Sequence, residues 1–161
     1  MFLPMMRDRA LSALAGTPDV LEALLGSLGL DDGRWDARPE ADRFSLREIV
    51  AHLADYEDVW FDRLTRTQSE VCPMLSPVDP GELALKNDYA HSDSAAGIAR
   101  FRDRRAQLVP FLGSLSEDGW QRIGQMGERG PLTLEEQVAL VVIHDGYHTG
   151  RLARWLAAAP R

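Results

Sequence analysis

Residues 133–158 read TLEEQVALVVIHDGYHTGRLARWLAA, and this stretch decides the fold. Thr133-Leu134-Glu135-Glu136 has the spacing of a capping box, in which a hydroxyl and a carboxylate three residues apart each satisfy a backbone N–H that a helix start leaves free. From there Leu134, Val138, Val141, Leu152, Trp155 and Leu156 recur at helical spacing and define one apolar arc, which predicts an amphipathic helix running to about Ala158. His144, Asp145 and His148 fall within that arc or at its edge. Polar groups on a buried face are unfavourable unless they find partners. A conflict of that kind between local rules marks a position kept for function.

Working outward, Ser45-Leu46-Arg47-Glu48 is a second capping box, and Leu46, Ile49, Val50, Leu53, Trp60, Phe61 and Leu64 keep one apolar face through about Thr67. His52 lies at the rim of that face, flanked by Ile49, Tyr56 and Val59, while Arg47 and Glu57 read as surface residues. Upstream, Leu3 to Ala15 is apolar-periodic. Gly16-Thr17-Pro18-Asp19 then places a cap residue and a first-turn proline before Val20 to Leu28, so the first helix is expected to be broken or kinked there. Leu30 to Phe44 is a connection carrying Trp35. Val71 to Ser92 holds Pro73, Pro77, Pro80 and Gly81 and reads as the longest irregular segment. Ser94 to Leu115 is a third helix, with a kink expected at Pro110 and with Arg100, Arg102, Arg104 and Arg105 as a solvated charged face. Ser116 to Pro131 is turn-rich. Four major helices in one domain over residues 1–161 predict an all-α four-helix bundle.

The chain has 161 residues, 45% hydrophobic and 27% charged, which suits one globular core. Its 18 Lys and Arg against 25 Asp and Glu give a net charge of −7, which argues against a phosphate-tracking nucleic-acid binder. Cys72 is the single cysteine, so an internal disulfide and a cysteine-based metal site are both excluded. Met1 to Met6 is apolar, but Arg7, Asp8 and Arg9 interrupt it too early for a signal peptide, and no stretch is long enough to span a membrane. The expectation is a cytoplasmic protein without a membrane partner.

His144 and His148 are four residues apart, so their rings lie one above the other and suit either a hydrogen-bonded pair or a single metal ion. His52 offers a third imidazole from another helix. Three such ligands leave positions open for water and substrate, which suits catalysis better than structural stapling. Asp145 is the candidate to orient a ligand histidine from outside the ligand set or to accept a proton. Tyr56, Tyr147 and the Val71 to Ser92 segment are candidates for pocket wall and lid. His91 reads as a loop residue that could line the mouth, and Cys72 has no base placed to activate it. His144-Asp145-Gly146-Tyr147-His148 is a poor zincin motif, because the base position holds Asp in place of Glu. The paired Glu-x-x-His segments of a di-iron bundle are missing, as are a nucleophile elbow and a phosphate loop, since Gly124 to Gly130 lacks Lys and Ser or Thr in the required order.

The residues from Ser45 through His52 to Asp58, then Gly130-Pro-Leu-Thr-Leu134 and His144-Asp-Gly-Tyr-His148-Thr-Gly-Arg-Leu152, resemble the DinB/YfiT-like family of metalloenzymes. Thr17-Pro18, Trp35-x-x-Arg38-Pro39 and Phe101-Arg102-x-x-Arg105 extend the resemblance over nearly the whole chain. It implies a four-helix bundle of up-down-down-up connectivity, a divalent ion such as zinc or nickel held by His52, His144 and His148, and a homodimer. It also implies a small-molecule substrate and, as the leading activity, a thiol S-transferase using a low-molecular-weight thiol. A metal-dependent hydrolase is the alternative activity; a non-catalytic, stress-linked metal-binding bundle is the alternative from another class. The small Thr149-Gly150 pair departs from the long residue that many relatives place after the last histidine, which bears on pocket shape.

Overall fold

The computed structural model describes residues 4–38 and 40–158, so the expectations placed on Leu3 and Pro39 lie outside the described residues. Four long helices make the bundle: α1 (Pro4–Leu25), α2 (Leu46–Ser69), then, after a short α3 (Pro80–Lys86), α4 (Ser94–Gly113), and, after a single turn α5 (Glu117–Trp120), α6 (Leu134–Ala158). Both capping boxes form. Ser45 Oγ accepts from Glu48 N while Ser45 N donates to Glu48 Oε2, and Thr133 and Glu136 repeat the exchange at the start of α6.

Cross-helix contacts fix the directions. Arg7 meets Glu135 and Thr17 meets Asp145, so α1 and α6 run parallel. Thr67 meets Gln137 and His52 meets His144, so α2 runs opposite to α6. Asp55 and Asp58 pair with Arg100 and Arg104, so α2 and α4 are parallel, and α4 descends against α1, since Arg105 bonds Leu14 O and Arg102 pairs with Glu22. The connectivity is up-down-down-up, as the resemblance implies.

The core divides into two apolar halves. One gathers Leu21, Trp35, Ile49, Leu53, Phe101 and Trp155; the other gathers Leu14, Trp60, Leu64, Leu108, Trp120 and Val141. Between these levels lies a polar layer centred on Arg105, which is 1% exposed. Its Nε donates to Glu57 Oε2 at 2.8 Å, its Nη2 to Glu57 Oε1, and its Nη1 to Asp145 Oδ2 at 2.7 Å and to Leu14 O at 3.1 Å. Two surface assignments are therefore corrected. Glu57 is 1% exposed, and Arg105 leaves the charged face of α4 because each can neutralise the other inside the bundle. Arg100, Arg102 and Arg104 keep the solvated face expected of them, where they pair with Asp55, Glu22 and Asp58.

The expected break at Thr17-Pro18 is also absent, since α1 continues through Pro18 to Leu25. Proline lacks the N–H that would bond the carbonyl four residues back, which here is Leu14 O. That carbonyl takes its hydrogen bond from Arg105 instead, so the proline leaves no unmet acceptor in the core. The helix α4 likewise continues past Pro110 to Gly113.

The turn-rich segment holds a minimal antiparallel pair, β1 (Ile123–Gln125) and β2 (Pro131–Thr133), with Gly124 opposite Leu132. Gly124 has no room for a side chain, because a Cβ there would stand 2.6 Å from Thr67 Oγ1 and 2.8 Å from Leu75 Cδ1. The pair is thereby pressed onto α2. Leu75 N donates to Gln125 O and Gln125 N to Pro73 O, which anchors the proline-rich segment beside it. That segment is less irregular than its prolines suggest, since Asp79 caps α3 with Pro80 at its first turn. Among the described residues no helix is long and apolar enough to cross a membrane.

Replacing Arg105 by Met strands two buried carboxylates and should lower unfolding stability by about 3–5 kcal/mol, read from denaturant midpoints. Arg104→Met, which removes an exposed pair, should stay within about 1 kcal/mol. Equal effects of the two variants would refute the assignment of the polar layer.

Candidate metal centre

The three sequence-predicted imidazoles converge. His52 on α2 and His144 and His148 on α6 each offer one ligand atom, and these atoms lie within 4.8 Å of one another. His52 Nε2 is 3.0 Å from His144 Nε2, and the His148 ring centroid is 4.6 Å from both other rings. The geometry follows from helix periodicity: His144 and His148 sit one turn apart on α6, and the antiparallel α2 carries His52 opposite them. His52 and His148 are buried, and the Nδ1 atoms of all three rings have no hydrogen-bond partner among the described residues.

Burial disfavours the imidazolium forms, and proximity to His144 adds to the effect. His52 is pushed down to about 3 and His148 to about 2. For His148 the charges of His52 and Arg151 contribute further. Both rings are therefore neutral near pH 7, the state in which an imidazole nitrogen donates its lone pair. Three imidazole nitrogens within 4.8 Å of one another, two of them on rings held neutral by burial, fit a single divalent ion.

Asp145 stands behind the cluster. Its Oδ2 accepts from Arg105 at 2.7 Å and from Thr17 Oγ1 at 3.0 Å, and its Oδ1 faces His144 Nδ1 at 3.9 Å, an electrostatic contact too long for a hydrogen bond. Burial raises this carboxyl, but the His144 ring and the Arg105 guanidinium outweigh it and hold it below its usual range. Asp145 is 4% exposed and does not line the cleft in front of the imidazoles, a position suited to orienting His144.

That cleft has a volume of about 1050 Å³. The expected wall residues Tyr56 and Tyr147 line it, with Tyr56 stacked on His144 at 5.0 Å, and Tyr56 OH donates to Val78 O at 3.2 Å. Leu75, Pro77, Val78 and Pro80 supply the part expected of the proline-rich segment. Other wall residues escaped the sequence reading: Phe44 before α2, Gly127 to Arg129 between the short strands, and Arg63 and Arg151 on the long helices. Gly127 and Gly130 both have positive φ, the signal in the sequence that this turn is tightly shaped. His91 is exposed, bonded to Asp88 and away from the cleft, and Cys72 is exposed outside it. Thr149 and Gly150 do not line the cleft either, and Thr149 Oγ1 turns back to Asp145 O at 2.8 Å.

Residues 13–152 match the model of the DinB superfamily. No curated protein matches the chain. Among solved structures, YfiT from Bacillus subtilis, described as a probable metal-dependent hydrolase with an unusual four-helix bundle topology, superposes with a TM-score of 0.89. The match covers 96% of this chain and 88% of that one at 19% identity, a likeness of fold.

The depressed imidazoles set a pH dependence. The unfolded chain protonates these rings near 6.5 while the folded chain keeps them neutral, so stability is complete above 6.5 and is lost as pH falls toward the folded values near 3 and 2. Each ring removes up to about 1.4 kcal/mol per pH unit in that window. Urea midpoints of the metal-free protein should fall from pH 6.5 to 4.5, and the fall should be shallower in His52→Gln/His148→Gln. An unchanged slope in the double variant would contradict the neutral-imidazole assignment.

Proposed function

We propose, for a chain that belongs to the DinB superfamily, that it is a metal-dependent enzyme whose divalent ion is held by His52, His144 and His148, and that it acts as a thiol S-transferase. The observation that carries this reading is the convergence of three imidazoles, two buried and one half-buried, with no partners for their Nδ1 atoms among the described residues, on a cleft of about 1050 Å³. A structural site closes its ligand set, whereas three ligands facing a cleft leave room for a reactant. The nitrogen donor set suits zinc or nickel.

When bound, such an ion lowers the pKa of a water or thiol placed on it and so supplies a nucleophile near neutral pH. The chain's own residues do the positioning. Buried His52 and His148 stay neutral, and Asp145, fixed by Arg105 and Thr17, presents Oδ1 to His144 Nδ1 and sets that ring's orientation. Tyr56 packs flat against His144 from the cleft side. Phe44, Trp60 and Val78 give the cleft an apolar wall, suited to the carbon frame of an electrophile. A low-molecular-weight thiol and a small electrophile both fit within this volume.

A hydrolase reading draws on the description of YfiT and uses the same three imidazoles with water in place of thiol. The two activities separate by substrate. Transfer needs added thiol and yields a thioether, while hydrolysis proceeds without one.

Mass spectrometry of untagged protein should find about one divalent ion per chain, lost in His52→Ala/His144→Ala/His148→Ala. Asp145→Asn should weaken metal affinity by roughly 10- to 100-fold while the fold is kept. Thiol-dependent turnover over a panel of alkylating electrophiles should vanish in His148→Ala. Metal-free wild-type protein, together with turnover indifferent to His148→Ala, would end the enzyme reading. Collapse of the fold on chelation without turnover of any substrate would favour a metal-binding bundle without catalysis.

A further inference from the structure

Arg151 lies three residues beyond His148 on the same face of α6 and lines the cleft, yet it is only 7% exposed. Its guanidinium lies over the Trp155 ring at 4.9 Å and over the Tyr147 ring at 5.7 Å, and Nη1 donates to Tyr147 OH at 3.2 Å. Its Nη2 is buried and has no hydrogen-bond partner, and no carboxylate pairs with it among the described residues. The other buried arginines described have no such orphaned nitrogen. Arg105 is held by Glu57 and Asp145, and Arg7 by Glu117 and Glu135. Arg63, at the opposite end of the cleft, donates to Ser76 O and lies over Trp60. Among the described arginines that line the cleft, Arg151 alone keeps a buried nitrogen without a hydrogen-bond partner. A buried charge without a partner is costly, and a rigid guanidinium stacked between aromatic rings is preorganised for a planar oxyanion.

Resting on the reading of this cleft as the substrate site, we infer that the molecule it takes carries a carboxylate, which pairs with Arg151 while the reacting end faces the three histidines. At this end of the cleft Arg151 presents a single positive charge, which matches a monoanion, and Nη2 supplies the charge-assisted hydrogen bond that the protein leaves unmade. Tyr147 OH holds the guanidinium in place by accepting from Nη1. The carboxylate thereby orients the substrate along α6, one turn of helix from His148.

The test uses the full chain loaded with Co²⁺, whose visible bands report occupancy of the imidazole site. Calorimetric titrations with 3-mercaptopropionate and with its methyl ester are then compared for wild type, Arg151→Gln and Arg151→Lys, each checked by thermal melting. Wild type should bind the acid about ten-fold more tightly than the ester, the scale of one charge-assisted hydrogen bond. Arg151→Gln should bring the two within about two-fold by weakening the acid alone, and Arg151→Lys should keep an intermediate preference. Equal affinities in wild type, or a preference that survives Arg151→Gln, overturn the inference while normal cobalt bands leave the metal reading intact. If the bands are absent, the metal reading fails. The same titrations on the metal-free chain then decide the inference: an acid preference that depends on Arg151 sustains it, and the lack of one ends it.

Discussion

The guanidinium of Arg105 joins all four long helices at one level. From α4 it reaches Leu14 O on α1, both carboxylate oxygens of Glu57 on α2 and Asp145 Oδ2 on α6. Thr17 Oγ1, again from α1, closes the arrangement on Asp145. Hydrogen bonds have direction and apolar contacts do not, so this layer fixes the rotation and axial level of each helix in a way that the leucine-rich halves on either side cannot. Those halves provide the favourable free energy of burial. The polar layer selects one arrangement from the many that a similar apolar surface would permit.

Its charges also shape the ground on which the imidazoles stand. Two carboxylates share one buried cation, so the layer presents excess negative charge toward His144 through Asp145 Oδ1. Burial raises Glu57 and opposes the attraction of Arg105, whereas Asp145, nearer the histidines, is held on the ionised side. A carboxylate behind a ligand imidazole makes that ring a better donor, here through an electrostatic contact of 3.9 Å. The residue that ties Arg105 to α6 is thus also the one that faces the candidate centre.

Much of this was legible in the chain itself. The capping boxes at Ser45 and Thr133 mark helix starts because their chemistry is local, and the three histidines stand out because they interrupt apolar arcs whose period is local too. The partners of the polar layer were not legible. Glu57 and Arg105 are residue types that belong on surfaces unless each meets the other, and that meeting spans 48 positions of sequence. Thr17-Pro18 read as a helix start for the same reason: the donor that satisfies Leu14 O comes from α4. The strands around Gly124 and Leu132 are three residues each, too short for alternation to show, and they form because a glycine can press against Thr67 and Leu75.

The division of labour within the cleft follows from where each part sits. The imidazoles are on α2 and α6, rigid elements locked by the polar layer, whereas much of the wall comes from connections: Phe44 ahead of α2, Pro77 and Val78 ahead of α3, and Gly127 to Arg129 between the strands. Connections tolerate change that helices in a core do not. Substitution in the walls can therefore alter what the cleft admits while His52, His144 and His148 keep their spacing, and a bundle shared with YfiT at 19% identity carries no requirement that the substrate be shared. Arg151, unlike those connections, projects from α6 itself, as Tyr147 does, and lies one turn past His148. A recognition group on the same rigid helix as two of the imidazoles holds its distance to them whatever the connections do, so what it binds is fixed in register with the centre.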